Sequence, residues 1–193
     1  FRVRRTGLCD RSRRSSNSGA AKWVISRCRA HAANRVVALA VNGKPSREGA
    51  REVQVRTLPD EWERRYADWV ERNRRRVDEA SGGRVGYVHV PNMAARGLTE
   101  LIRPYYPQVR KQGLVVDVRA NGGGFVSQAI LERLRRRVVG MSNVRDGRPE
   151  TWPTAAFQGP MVALVDPYSA SDGDIFPHFF RAYALGPLGG PRP

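Results

Sequence analysis

The feature that most constrains the fold is an alternation of short apolar runs with helical patterns in the second half of the chain. Three runs read as strands: "RVGYVHV" at 84–90, "GLVVDVR" at 113–119 and "PMVALVD" at 160–166. Helical patterns follow them, from about Ala94 to Tyr106, over residues 125–139, and after the serines near residue 170. Strands that alternate with helices form mostly parallel sheets covered by helices, so the sequence predicts an α/β fold.

The segment before these strands predicts one further helix. In "LPDEWERRYADWVERNRRRVDEASGG" the apolar residues recur at intervals close to 3 and 4, after Pro59-Asp60-Glu61 and before Gly82-Gly83. We expect its NRRR run to lie on the solvent face. The apolar positions are Trp62, Tyr66, Trp69, Val70 and Val77.

The first 58 residues give weaker signals. Residues 1–35 show no sustained period and are predicted to be a basic, unassigned segment, either disordered or mis-framed. The runs at 36–41 and 52–55 flank the turn sequence "NGKPSREGA" and predict two strands joined by a turn. Two strands alone are too little for an independent domain.

The strongly basic composition does not by itself indicate a nucleic-acid partner. The formal charge is +16, but only Lys22, Lys44 and Lys111 among the 34 basic residues are lysines, a skew that a GC-rich coding sequence produces. Residues 1–35 alone hold ten basic residues against one acidic residue. With no nucleic-acid motif present, we expect no nucleic-acid partner.

Composition also argues against other classes of protein. Cys9 and Cys28 have no companions at ligand spacing, so we expect neither a metal site nor a disulfide framework, and no cofactor. No run approaches the roughly 18 apolar residues of a membrane span. The opening Phe1 and the closing "GPLGGPRP" suggest a fragment.

Two unusual loops follow predicted strands, where open α/β sheets carry their ligands. In "RANGGGF", Gly122, Gly123 and Gly124 free the backbone to point N–H groups into an oxyanion hole or a phosphate cradle. The spacing fits neither a P-loop nor a dinucleotide fingerprint. The alternative is that the glycines only permit a tight turn.

The second loop, "DPYSASDGD", places Ser171 where a strand has ended and a helix begins. Its hydroxyl there resembles a nucleophile at a strand-to-helix elbow, with free N–H groups following it. The alternative is an ordinary N-cap by Ser169 or Ser171, with Asp172 and Asp174 complementing the helix dipole. Residue types alone leave both interpretations open.

Three segments of this chain resemble the catalytic core of the tricorn protease family, relatives of the tail-specific, or C-terminal processing, serine peptidases. They are "GRVGYVHVPNM", "YYPQVRKQGLVVDVRANGGGFVSQAILERL" and "GPMVALVDPYSASDGDIFPHFFRAYALGPLGG". The resemblance implies a ClpP- or crotonase-like α/β core at 59–193, truncated at its C-terminus. It also implies that residues 36–58 are the remnant of a PDZ-like domain.

The resemblance further implies roles for individual residues. Ser171 would be the nucleophile, the Asp172 backbone amide one oxyanion donor, and the amide of Gly122, Gly123 or Gly124 the other. Peptides or unfolded protein tails would be the substrates. The full-length family implies a homo-oligomer and a cytoplasmic location, with the periplasm as the alternative.

The general base is not identifiable. Tricorn-like enzymes take it from a histidine before the PDZ domain, with a supporting acid after the nucleophile helix. Tail-specific peptidases use a lysine some two dozen residues past the serine, but only 22 residues follow Ser171 and none is lysine. His178 would lie about 10 Å along the same helix, His89 is expected in the core, and His31 is in the unassigned segment. We therefore expect a serine endopeptidase fragment that is nearly inactive alone.

Three other interpretations remain. A crotonase-fold protein would bind acyl groups through the same glycine amides, a basic module would bind nucleic acid, and a PDZ-type module would bind peptides without cleaving them. Asp117 and Arg119 lie on one face of their strand, and we interpret them as structural support for the glycine loop.

Overall fold

The computed structural model describes residues 13–15, 22–24, 33–44 and 46–191. The chain divides into two compact units, Phe1–Tyr66 and Ala67–Pro193. The predictions made for Cys9, Cys28 and His31 lie outside the described residues.

The first unit contains a four-stranded sheet with the strand order β1-β2-β3-β4. The predicted strand pair is confirmed: β3 and β4 pair antiparallel, from Val36 opposite Arg56 to Val41 opposite Arg51. The strands are β1 (Arg13–Ser15), β2 (Lys22–Val24), β3 (Val36–Asn42) and β4 (Arg51–Arg56).

Strands β1 and β2 lie in the segment for which the sequence predicted no structure. The backbone of β2 pairs with β3, with Trp23 opposite Asn42 and Val24 opposite Val41. Strands of three residues are too short to show an apolar period, so pairing with a neighbouring strand is what defines them.

The predicted amphipathic helix is α1 (Trp62–Ser81). The Asp60 carboxylate accepts the Trp62 N–H at 2.9 Å, as a capping side chain does. At its C-terminal end, Gly82 and Gly83 have positive φ angles of 58° and 78°. The helix therefore begins and ends close to where its sequence signals predict.

The arginine run of α1 forms ion pairs along its own helix. Arg74 and Arg75 both bind Glu71, and their hydrogen bonds lower the pKa of that carboxyl to about 2. Arg72 pairs with Asp68 at 3.2 Å. Arg75 and Arg76 are exposed as predicted, whereas Asn73 and Arg74 are half-buried, so only part of the NRRR run lies on the solvent face.

The second unit contains a parallel four-stranded sheet with the strand order β10-β9-β6-β5, which confirms the predicted α/β fold. Strand β6 is central, so the loop after it lies between the loops that follow β5 and β9. In chain order the elements after α1 are β5 (Val85–His89), α2 (Ala95–Gln108), β6 (Gly113–Asp117), α3 (Ser127–Leu134), β7 (Gly140–Ser142), β8 (Glu150–Trp152), β9 (Met161–Leu164), α4 (Asp172–Ala182) and β10 (Leu188–Gly189).

The hydrophobic core of this unit lies between the sheet and its helices. Val88, Val116 and Ala163 occupy neighbouring positions on β5, β6 and β9, and all three are buried. Phe176 and Phe180, four residues apart on α4, are fully buried in the same cluster. This packing fixes the carboxyl ends of the strands, where the two unusual loops begin.

Two features differ from the sequence prediction. The helix predicted over residues 125–139 ends at Leu134, because the Val139 N–H donates to Trp152 O at 2.8 Å where the β7–β8 hairpin begins. Strands β7, β8 and β10, of two or three residues each, were not predicted, since runs this short show no pattern. Over the described residues, no helix has the length and apolar character needed to cross a membrane.

Candidate active site

Three loops meet at the carboxyl ends of β5, β6 and β9. The Met93 N–H donates to Gly123 O at 2.7 Å, and the Phe125 N–H donates back to Met93 O at 2.6 Å. On the other side, the Ala170 N–H donates to Asn121 O at 3.0 Å. The glycine loop is therefore held between the loop that follows β5 and the loop that carries Ser171.

Ser171 has an unusual backbone conformation. It directly precedes α4 with φ 56° and ψ −126°, outside the three regions that L-residues normally occupy. Such a conformation costs of order 1–3 kcal/mol and persists only where the surrounding structure enforces it. Ser171 is thus a strained residue at a sharp strand-to-helix turn.

Neither serine caps α4, so the capping interpretation does not describe this loop. Ser171 stands at the N-cap position but makes no side-chain capping hydrogen bond. The Ser169 hydroxyl donates to Val118 O at 3.0 Å instead.

Asp172 begins α4, and its backbone and side chain have different environments. Among the described residues, its N–H has no hydrogen-bond acceptor, as is usual in the first turn of a helix. The residue is only 7% exposed, and its carboxylate binds Ser127, the first residue of α3. This carboxylate therefore caps the start of α3. The sequence analysis had instead expected Asp172 to complement the dipole of its own helix, α4.

The three glycine amides also differ. The Gly122 N–H donates to Pro91 O at 3.2 Å, and the Gly123 N–H donates to the Asn121 side-chain oxygen at 2.9 Å. Within the part of the chain that the structure describes, the Gly124 N–H has no acceptor. Of the three glycine amides, that of Gly124 is therefore the one left to bind a ligand, as far as the described residues show.

The direction of the Gly124 N–H follows from its peptide plane. Gly123 O points at Met93, and the N–H of a trans peptide points opposite to its carbonyl. The Gly124 N–H therefore points away from Met93. Gly123 lies against the loop that follows β9, since a Cβ added to it would be 2.8 Å from Ser171 Cβ.

Asn121 joins these segments, and the sequence analysis did not single it out. It is fully buried, its Nδ2 donates to Val90 O at 2.7 Å, and its Oδ1 accepts the Gly123 N–H. Asparagine before a glycine turn often bonds to a backbone N–H two residues on, which is the one local signal that could have identified it.

Asp117 and Arg119 form an ion pair in which the Asp117 carboxylate is buried and the Arg119 side chain is about one third exposed. Arg119 Nε donates to Asp117 Oδ1 at 2.9 Å, and the Tyr87 hydroxyl donates to Oδ2 at 2.7 Å. These contacts agree with the interpretation of both residues as structural support.

The two described histidines are not bonded to Ser171. His89 is 5% exposed, with Nε2 at 3.2 Å from Arg119 O and its ring edge-on to Trp69, which confirms the expected core position. His178 is exposed on α4 beside Phe179. Among the described residues, Ser171 Oγ has no hydrogen-bond partner, and no group of three His, Cys, Asp or Glu residues could hold a metal ion.

We expect His89 to make the fold sensitive to acid. Burial lowers the pKa of His89 below its ordinary value of about 6.5, so the unfolded chain binds the proton more readily. The contribution of His89 is complete above pH 6.5 and is lost as the pH falls toward the folded pKa, by up to about 1.4 kcal/mol per pH unit. Urea unfolding at pH 7.5 and pH 5.5 measures this loss.

The matched variants are His89→Gln, which keeps a donor for Arg119 O, and His178→Gln. We expect His89→Gln to flatten the pH dependence, and His178→Gln serves as a control for replacing an exposed histidine. An equal slope in the parent and in His89→Gln would rule out this residue as the cause.

The chain resembles known proteins both in sequence and in structure. A family model described as peptidase family S41 matches residues 84–193. The tricorn protease of Thermoplasma volcanium is 47% identical over 138 residues, which are 72% of this chain and 13% of the relative. Tricorn protease homolog 1 of Streptomyces coelicolor is 46% identical over 135 residues, 70% of this chain and 13% of the relative.

Among solved structures, a crystal structure of the tricorn protease superposes with a TM-score of 0.74 at 40% identity. The match covers 81% of this chain and 15% of the other. The chain thus spans only a small part of the length of the proteins that it matches.

Proposed function

The chain belongs to peptidase family S41, and we propose that it carries the nucleophile and the oxyanion hole of a serine endopeptidase of the tricorn or tail-specific type. The observation that carries the proposal is the backbone conformation of Ser171, φ 56° and ψ −126°, at the start of α4. Strain of this kind clusters at functional sites, and a nucleophile elbow places its serine on such a strained turn. The acyl-binding alternative has no support from this family match.

Ser171 is the nucleophile of this proposal. Its Oγ attacks the carbonyl carbon of the scissile peptide bond while its proton passes to a base. The C–N bond then breaks, the amine leaves with that proton, and water hydrolyses the ester to restore the hydroxyl. Peptides or unfolded protein tails are the substrates.

The oxyanion hole consists of the backbone amides of Asp172 and Gly124. Both N–H groups lack an acceptor among the described residues, and they come from the two loops that meet at Ser171. Of the three candidate glycines, Gly122 and Gly123 already donate to other atoms. Removing one such donor costs about 10²- to 10³-fold in turnover.

Neither described histidine is placed to act as the general base, which we take to come from outside these 193 residues. His89 is buried against Arg119, and His178 lies seven residues beyond Ser171 along α4. Because loss of a triad member commonly costs about 10⁴- to 10⁶-fold, these 193 residues alone are nearly inactive. We further propose three properties of the full-length protein: that β3 and β4 derive from a PDZ-like domain, that the enzyme is a homo-oligomer, and that it is cytoplasmic.

A fluorophosphonate probe tests the proposal, because it phosphorylates an activated serine. We expect slow labelling of the 193-residue chain, confined to Ser171 when peptides are mapped by mass spectrometry. Ser169→Ala retains the label and Ser171→Ala loses it.

Two results would contradict the proposal. Labelling that persists in Ser171→Ala would remove Ser171 as the nucleophile. Labelling as fast as in an intact serine peptidase would show that the base lies within these residues.

A further inference from the structure

We propose that the Asp172 carboxylate is a positioning residue, which holds the two oxyanion donors in register by bonding the start of α4 to the start of α3. This inference rests on the proposed function, since it assigns a task to the side chain of a residue whose backbone amide lies in the site.

The contact itself uses both carboxylate oxygens. Asp172 Oδ2 accepts the Ser127 N–H at 3.0 Å, and Oδ1 accepts the Ser127 hydroxyl. Both residues are buried, with Ser127 3% exposed. The carboxylate therefore has its partners inside the protein, and the contact is shielded from water.

The Asp172–Ser127 contact lies directly after the glycine loop. The glycine loop continues through Phe125 and Val126 directly into Ser127, so this serine fixes the C-terminal end of that loop. Asp172 follows Ser171 and carries one of the two free amides. The Asp172 side chain thus links the segment that supplies the Gly124 N–H to the residue whose own N–H is the second oxyanion donor.

The other acidic residue in the first turn of α4 has no such role. Asp174 is exposed and makes no hydrogen bond to α3 among the described residues, although its charge is equally placed to favour the helix dipole. Asp174 therefore separates the effect of negative charge at this helix terminus from the effect of the contact with Ser127.

Small displacements matter in such a site. Oxyanion donors must lie about 2.7–3.1 Å from the developing negative charge, and a misplacement of about 1 Å can cost roughly 10²-fold in rate. The phosphoryl oxygen of a fluorophosphonate occupies the same hole, so the labelling rate of Ser171 reports the donor geometry.

The experiment uses the whole 193-residue chain and four variants. Asp172→Ala removes the contact, Asp172→Asn keeps an acceptor for the Ser127 N–H and a donor for its hydroxyl, Ser127→Ala removes the hydroxyl alone, and Asp174→Ala is the control. We expect Asp172→Ala to lower the maximal labelling rate of Ser171 about 10²-fold, with the half-saturating probe concentration unchanged. Asp172→Asn restores most of the rate, Ser127→Ala falls between, and Asp174→Ala equals the parent.

Amide hydrogen exchange gives a second readout that needs no chemistry at Ser171. Below the unfolding transition, we expect Asp172→Ala to speed exchange at residues 122–127 and 172–174, with other helices unchanged. The positioning role is wrong if Asp172→Ala leaves exchange there unchanged, or if its labelling loss is shared by Asp174→Ala. A parent chain that is not labelled at Ser171 would instead contradict the proposed nucleophile, while exchange would still decide the contact.

Discussion

Replacing Ser171 by glycine is expected to stabilise the fold and to abolish labelling, whereas replacement by alanine abolishes labelling and leaves the strain in place. At φ 56° and ψ −126° only glycine is free of the steric cost that Cβ imposes. We expect Ser171→Gly to be about 1 kcal/mol more stable than Ser171→Ala, after the larger entropy loss of glycine is included. Thermal unfolding should resolve this as a difference of about 2–4 °C.

Ser142 provides the matched control, because it lies exposed on β7 with ordinary strand geometry. There Ser142→Gly should be less stable than Ser142→Ala, the reverse of the order at residue 171. If both positions rank alanine above glycine, Ser171 is not strained, and the observation that carries the proposed function loses its force.

Adding one methyl group to Gly123 is expected to disrupt the site. A Cβ there would lie 2.7 Å from Ala170 O and 2.8 Å from Ser171 Cβ, and φ is +79°. Because the first contact is with backbone, the serine loop must shift. We expect Gly123→Ala to cost about 2–4 kcal/mol of stability and to lower Ser171 labelling at least about 10²-fold.

The control is the adjacent glycine. A Cβ added to Gly122 meets no atom within 4 Å, and its φ is not in the left-handed region. Gly122→Ala keeps the N–H that donates to Pro91 O, so stability should change by less than about 0.5 kcal/mol and labelling should be unchanged. Equal losses in both variants would mean that close packing of Gly123 against Ser171 is not what the site depends on.

The sequence could predict that the two loops lie at one edge of the sheet, but not the bonds that they make. Parallel strands end at the same edge, so "RANGGGF" and "DPYSASDGD" were expected there once their strands were recognised, and the structure shows that β6 and β9 are neighbours. In contrast, the Ser127–Asp172 bond joins residues 45 apart, and the Asn121–Val90 bond joins residues 31 apart. Residue types show that such side chains can bond, but only the folded chain selects the partner.

The backbone conformation of Ser171 and the end of α3 could not be predicted from the sequence, for different reasons. Nothing in the letters Ser-Asp-Gly requires Ser171 rather than Gly173 to adopt the positive φ. Gly173 is needed for a different reason, because an added Cβ there would lie 2.9 Å from Asn121 O. The early end of α3 reflects competition, because Val139 bonds to Trp152 where the helix pattern would have continued.

The tertiary bonds around Ser171 also link its reactivity to the completion of folding. The segments that hold it follow three different parallel strands, and each crossover must close a long loop before those bonds can form. A nascent or partly unfolded chain lacks them, and without them the backbone at residue 171 relaxes into an ordinary region. The serine is then a common alcohol with no amides arranged around it. The proposed nucleophile is therefore assembled only when the sheet is complete.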